Sequence, residues 1–458
     1  MVNILHQLSD HQRTSIIEIE DLLKAESAKV YLVGGCVRDS LLGLCPKDID
    51  IEVYNIQPEL IEKTLSKKFQ IETVGKQFGV FILKGHSIDI SIPRKESKIG
   101  DKHTDFNVEG DPFLDLKTAC SRRDFTINAI SYDLSTHQLI DPFNGVNDLK
   151  SKTLKHVSDA FDEDSLRVLR AMQFIARFQL KVDSNTLDKC QKLDPKNLPK
   201  ERIWEEWKKL ILKGEKISLG LEFLADCNWL QHFPELEALV HCEQDREWHP
   251  EGSVWNHTKH CMDAFAQTRI HDEWEDLVVG MATLCHDMGK PTTSITTSDG
   301  RIRSPKHDIE GKNIAESFLK RMTQQRKLIE EVLPLVTEHM RPYNLYKNKS
   351  GDAAIRRLAA KVKRIDRLVR VVEADQMGRP PIKETKFEVT KWLLRKSENL
   401  KVKDSEPKPI ILGRHLIDLD ITPSPQFKDI LSRCYQAQIE GLFDSEETGL
   451  QYLKSIIQ

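Results

Sequence analysis

Apolar positions recur at helical spacing from Ile16 to Leu23, and then the period changes. Val30 to Val33 is a short apolar run ending at Gly34-Gly35, which predicts a buried strand entering a turn. Cys36 to Leu42 predicts a short helix, stopped by Gly43 and Pro46. Ile49 to Val53 alternates as a strand does, and Phe78 to Leu83 and Ser87 to Ile92 predict two more. Ser97 to Asp111 is polar, carries Gly100 and Gly110, and predicts a mobile loop. From Asp162 onward the spacing is helical almost to the end. The pattern therefore predicts an α+β chain, with a mixed-sheet head over 1–150 and a helical neck and body over 151–245. Softer breaks near Gln244 to Gly252 and at Gly378 to Ile382 set off an all-α segment, 246–380, and a helical tail, 381–458.

Composition narrows the class. The 458 residues are 39% hydrophobic and 30% charged, with ample core for several domains and no run near the ~20 apolar residues that span a bilayer. Met1 to Asp10 shows no basic segment followed by an apolar core, so no signal peptide is expected. Nine cysteines without a Cys-x-x-Cys pair favour a reducing cytoplasm over a disulfide framework or structural zinc. A net charge of −3 excludes a wholly basic nucleic-acid coat but not local patches. One basic run, Ile355 to Arg370, holds Arg356, Arg357, Lys361, Lys363, Arg364, Arg367 and Arg370. Such a run is most often a solvated helix face, with RNA contact the alternative.

The first chemical constellation is Asp48 and Asp50. Two residues apart on a strand, both carboxylates share one face. Side by side they repel unless a cation neutralises them, and Mg²⁺ is the usual partner of such oxygen ligands beside a nucleotide. Asp-x-Asp alone equally describes two surface aspartates. Upstream, Gly34-Gly35 lies between a strand and a helix, where bare amides can hold phosphate, and Arg38 follows on that helix.

Gly34-Gly35-Cys36-Val37-Arg38-Asp39 followed by Lys47-Asp48-Ile49-Asp50 resembles the nucleotidyltransferase superfamily that includes DNA polymerase β. More narrowly, it is similar to the class II tRNA nucleotidyltransferases and bacterial poly(A) polymerases. The resemblance implies a polymerase β-like head in which Gly34, Gly35 and Arg38 bind the nucleotide and Asp48 and Asp50 are catalytic and hold Mg²⁺. Asp89, on a neighbouring predicted strand, is a candidate third carboxylate. Arg122-Arg123-Asp124 through Ala129 resembles the family's ribose and triphosphate motif, with Arg123 toward phosphate and Asp124 toward the 2′-hydroxyl. Glu163-Asp164-Ser165-Leu166-Arg167 opens an amphipathic helix. The bland reading of Asp164 and Arg167 is an i,i+3 surface ion pair. The resemblance instead makes them readers of the incoming base, and it adds Arg170 to the nucleotide-binding set. Glu201 to Trp207 resembles the following family helix and reads as scaffold.

A third constellation has the order of the HD metal-dependent phosphohydrolases: His257, His286-Asp287 and Asp375, with His307 and His339 as ligands of a possible second metal. Imidazole mixed with carboxylate suits Ni, Mn, Co, Fe or Mg. A histidine in an apolar helix is more often a core residue, but four ordered ligands beside Gly289 favour the metal. Taken together, the chain resembles a cytoplasmic CCA-adding enzyme with an HD domain, whose partners would be tRNA, CTP and ATP and not a membrane. The resemblance also implies full CCA addition, because in that family a flexible loop at the place of the long polar segment Arg94 to Asp115 is implicated in switching from C to A. The alternatives are a CC-adding, A-adding or poly(A) polymerase of the same family, and an HD phosphohydrolase or RNA-binding protein with an inactive head.

Overall fold

The computed structural model describes residues 4–74, 79–98, 106–196, 198–380 and 387–457. They form two compact units, one of residues up to 206 with 222–229, the other of 207–221 with 230 onward.

The first unit is built on a seven-stranded mixed sheet. Its strands are β1 (Lys29–Val33), β2 (Ile49–Tyr54), β3 (Ile71–Val74), β4 (Val80–Leu83), β5 (Ile88–Ser91), β8 (Ser131–Asp133) and β9 (Gln138–Ile140), in the order β3-β4-β5-β2-β1-β8-β9. Between them in the chain, β6 (Arg94–Lys98) and β7 (Phe106–Gly110) pair as a separate antiparallel ribbon. The β2–β5 pair is parallel and the other pairs of the sheet are antiparallel. Alternation sorts the faces. Ile49, Ile51 and Val53 join Ile88, Ile90 and the helix α1 (Asp10–Lys24), whose Ile16, Ile19 and Leu23 are fully buried, in the main core. Tyr31, Val33 and Tyr54 pack with Ala119 in a smaller cluster. Glycine is required at position 34, where φ is +70° as the chain turns from β1 into α2 (Gly35–Leu41).

The mixed head and helical remainder match the sequence pattern. One expectation needs correcting. Ser97 to Asp111 reads as loop because it is polar, yet the β6–β7 ribbon takes up both of its ends, since backbone pairing needs no apolar side chains. Positions 99–105 of that segment lie outside the described residues, as does Phe78 of another predicted strand.

The second unit is helical. Its central helices are α5 (Val254–Gln267), α6 (Glu273–Cys285), α7 (His307–Met322), α8 (Arg326–Glu338) and α9 (Ile365–Met377), the numbering passing over α3 and α4, which are Leu166–Phe178 and Lys200–Lys213. The basic run is a solvated face only in part: Arg357, Lys361 and Lys363 are exposed, while the arginines nearer its end turn inward. Arg367 is buried and bridges Glu275 at 2.7 Å and Glu331, Arg370 pairs with buried Asp276, and Lys361 meets Glu338 at 2.8 Å. Arg367 and Arg370 thus hold helices together. Arg367→Ala is expected to lower the unfolding free energy by about 2 kcal/mol. That is below the usual cost of stranding a buried charge, because both glutamates keep some solvent. Denaturant midpoints check it, and an unchanged midpoint would return the run to the surface. No helix among the described residues is long and apolar enough to cross a membrane.

Candidate functional sites

In the head, parallel pairing sets Asp50 directly beside Asp89, both exposed. Asp48 immediately precedes β2. Although Asp50 keeps a solvent-facing side, desolvation by the protein packed around its carboxyl pushes its pKa up; Arg123 opposes this, and Asp89, Asp48 and Glu52 add to it. Asp89 is raised by burial and by Asp48. Three mutually repelling carboxylates on and beside two central strands fit a hard divalent cation such as Mg²⁺. Gly34 lies against them. A Cβ there would stand 3.1 Å from Arg123 Nη1 and 3.8 Å from Asp50 Oδ2, so a side chain would fill the space above the carboxylates.

Glu52 was not singled out by the sequence reading. Buried two residues after Asp50, it accepts from Tyr54 Oη at 2.6 Å and meets Arg122 and Arg123 at 3.5 and 3.6 Å. It anchors Arg123 beside Asp50. The run Asp48, Asp50, Glu52 on one strand phase was the available signal. Arg38 is also more committed than expected. Its guanidinium donates to Asp39 and Asn128 and packs over Phe174 and Phe178 at 5.0 and 4.8 Å. Arg38 therefore braces α2 against α3.

Asp124 is buried. It accepts from Phe125 N at 2.8 Å, Asn128 Nδ2 at 2.9 Å and Arg170 Nε at 2.7 Å. Burial works against its charge, but Arg170 and these hydrogen bonds outweigh that and hold its pKa below the usual range. Arg170 also reaches Glu206 at 3.8 Å.

Asp164 and Arg167 do not pair with each other, which removes the surface ion-pair reading. Asp164 Oδ2 accepts from Arg202 at 2.7 Å, and its Oδ1 accepts from Leu166 N at the start of α3. Arg167, 9% exposed, donates through Nη1 to Ala160 O and through Nη2 to Arg122 O, both at 2.7 Å. Arg202 and Glu206, one helical turn apart on α4, therefore brace Asp164 and Arg170. The scaffold reading of that segment missed this, because the partners lie far apart in sequence.

The second unit gathers His257, His286, Asp287, Asp375, His307 and His339. His286 Nδ1–H donates to Thr283 O at 2.7 Å, His307 to Ser304 O at 2.8 Å and His339 to Val336 O at 2.7 Å. Each bond leaves the Nε2 lone pair turned inward. His307 Nε2 and His339 Nε2 face each other at 3.2 Å, an arrangement that suits a shared cation. Burial together with His286 and His307 pulls the His339 pKa down to about 3, which keeps it a neutral donor. Asp287 turns Oδ1 toward His307 (3.4 Å) and His339 (3.9 Å), and Oδ2 toward His286 (3.3 Å) and His257 (3.7 Å). One carboxylate thus spans two ligand clusters, as a bridging ligand does. Burial would raise both acids, but His286 and Lys290 hold Asp287, and Arg379 and His257 hold Asp375, well below the usual range. An adjoining cavity of about 310 Å³ is lined by Trp248, His249, Lys290 and Arg379 among others. The sequence reading missed Glu251, which accepts from His257 Nδ1 at 2.8 Å and from His249 at 2.9 Å.

Residues 30–155 match the poly A polymerase head domain, 179–239 the probable RNA and SrmB-binding site of polymerase A, and 254–371 the HD domain. The Multifunctional CCA protein of Xylella fastidiosa strain 9a5c is 33% identical over 365 residues, covering 77% of this chain and 84% of that protein. The chain belongs to the CCA-adding tRNA nucleotidyltransferase family. The Multifunctional CCA protein of Stenotrophomonas maltophilia strain K279a is also 33% identical over 365 residues, covering 77% of this chain and 86% of its own. Solved members of the family share the fold. A Bacillus stearothermophilus CCA-adding enzyme in complex with CTP superposes with a TM-score of 0.67 at 19% identity, over 97% of this chain and 98% of its own. A Thermotoga maritima CCA-adding enzyme complexed with tRNA gives 0.59 at 19% identity, over 99% and 98%. This family member is thus an α+β nucleotidyltransferase that carries an HD domain.

Proposed function

We propose that the head adds C, C and A to the 3′ end of tRNA from CTP and ATP, without a nucleic-acid template. The observation that carries the reading is the register-matched pair Asp50 and Asp89, beside Asp48 and roofed by Gly34 and Arg123. The named relatives, and the structural neighbours solved with CTP and with tRNA, support it. Two Mg²⁺ ions held by Asp48 and Asp50 would activate the RNA 3′-hydroxyl and stabilise departing pyrophosphate. The chain's own part is to position them. Glu52 fixes Arg123 for the triphosphate, and Asp164 and Arg167 offer an acceptor and donors to the base. In this division of labour, 1–150 is the catalytic head, 151–245 reads the base, 246–380 is the HD domain and 381–458 is a helical tail. The test uses tRNA transcripts lacking one, two or three terminal nucleotides, with each NTP supplied separately. Only CTP should extend the two shorter transcripts and only ATP the longest. Addition of C alone, or of A alone, would identify a partial enzyme.

Base choice should depend on how Arg167 is held. Arg167→Ala and Arg202→Ala are each expected to cut discrimination among the four NTPs by at least about tenfold. Arg167→Lys should not restore it, because one ammonium cannot reproduce a planar fork set between two carbonyls. Single-turnover incorporation measures this, and unchanged selectivity would reduce these residues to packing.

The second unit is proposed to be a phosphohydrolase. His257, His286, Asp287 and Asp375 hold one divalent metal of the Ni, Mn, Co, Fe or Mg group, and Asp287, His307 and His339 hold a second. Such a metal supplies a hydroxide nucleophile near neutral pH. Lys290 and Arg379 face the same cavity, where they suit the charge of a phosphate ester.

A further inference from the structure

Cys261 follows His257 by one helical turn on α5, so the two side chains share a face. It is fully buried, and its Sγ lies 3.3 Å from His257 Nε2. The same Nε2 is 3.0 Å from Asp375 Oδ1. His286, 1% exposed, directs into this cluster an Nε2 that has no hydrogen-bond partner. One ligand atom from each of His257, Cys261, His286 and Asp375 falls within 4.8 Å of all the others. Room for the thiol comes from Gly378, where a Cβ would stand 2.2 Å from Sγ.

We propose that Cys261 is a metal ligand. Resting on the HD metal reading above, this adds a thiolate to the inner half of the centre, which then offers two histidines, Asp375, Cys261 and the Oδ2 side of the shared Asp287. Nitrogen, oxygen and sulfur donors around a four- or five-coordinate ion of zinc size would be separated by about 3.0–3.6 Å. The Sγ–Nε2 and Nε2–Oδ1 spacings lie close to that. His286 Nδ1–H donates to Thr283 O, and His257 Nδ1 lies 2.8 Å from Glu251, so with a metal bound each ring would keep its proton on Nδ1 and offer Nε2. Binding expels the thiol proton to solvent and leaves a thiolate. A thiolate selects borderline-soft ions, so the site takes Zn²⁺, Co²⁺ or Ni²⁺ in preference to Mg²⁺ or Mn²⁺.

Cobalt spectroscopy on the full chain tests this without any activity assay. The protein is stripped with chelator and titrated with Co²⁺. Wild type should show visible d–d bands together with a near-ultraviolet sulfur-to-cobalt charge-transfer band. Cys261→Ser should lose the charge-transfer band, keep d–d bands and bind Co²⁺ at least about tenfold more weakly. Cys242→Ser should keep both features. Should Cys261→Ser fail to fold by circular dichroism, Cys261→Ala and the wild-type spectrum still decide. Wild-type d–d bands without charge transfer, or a charge-transfer band that survives in the Cys261 variant, would overturn the thiolate ligand and leave the HD metal reading standing. Folded wild type with no d–d bands would overturn both.

Discussion

Asp50→Asn is expected to slow nucleotide addition by at least about a thousandfold without loss of stability. The reason lies in what surrounds the carboxylate. Asp50 is paired in register with Asp89 and lies near Asp48 and Glu52, and its carboxyl is raised in the fold. A raised carboxyl means that the folded state disfavours the ionised form, so at neutral pH removing the charge relieves a penalty. In metal-free buffer the variant should therefore melt at or above the wild-type temperature. Chemistry needs the charge where packing does not, and that combination separates a metal ligand from a structural acid. Incorporation of labelled CTP into a trimmed tRNA transcript, alongside a thermal melt, measures both halves. A folded Asp50→Asn that extends RNA at a near-normal rate would remove the head assignment. Asp48→Asn should slow nucleotide addition likewise, while Asp89→Asn distinguishes a third ligand from a bystander.

Asp287→Asn is expected to abolish metal-stimulated hydrolysis and strip bound metal while nucleotide addition continues. Asp287 faces both ligand clusters, Oδ2 toward His257 and His286 and Oδ1 toward His307 and His339. Losing one of two independent ligands would weaken one metal; losing a bridge weakens both. A drop of at least about a hundredfold in hydrolysis follows, with metal content falling toward zero on elemental analysis. Asparagine keeps the shape beside Lys290, whose ammonium lies 2.7 Å from Oδ2, and so limits disruption of the fold. Suitable substrates are 2′,3′-cyclic nucleotides and p-nitrophenyl phosphate esters, because a cyclic phosphate on an RNA end blocks the hydroxyl that the head extends. A folded variant that loses nucleotide addition as well would show that the two chemistries are coupled.

What could be read in the sequence follows from how local each signal is. Gly34-Gly35, Asp48/Asp50 and His286-Asp287 are short strings whose geometry is fixed by one strand or one turn, and they are legible there. The α+β division is legible because strand-like alternation is confined to the head and helical spacing runs almost unbroken from Asp162 onward. Contacts between distant segments are not. Nothing near Asp164 announces Arg202, and nothing near Arg170 announces Asp124 or Glu206, because each pair is brought together by folding. The β2–β5 register that sets Asp89 beside Asp50 is likewise a property of the sheet. Ser97 to Asp111 misled because a ribbon held by backbone bonds leaves little apolar trace. The basic run misled because its acidic partners, Glu275, Asp276 and Glu331, sit on other helices.

The central claim is that this chain rebuilds a three-nucleotide RNA end from a protein-encoded template. It is tested most directly by giving the purified full chain a tRNA transcript lacking all three terminal nucleotides, with all four NTPs and Mg²⁺, and sequencing the product ends. The account predicts ends that read C, C, A and stop there. Homopolymeric A tails, ends that stop after the cytidines, or unextended RNA would contradict it.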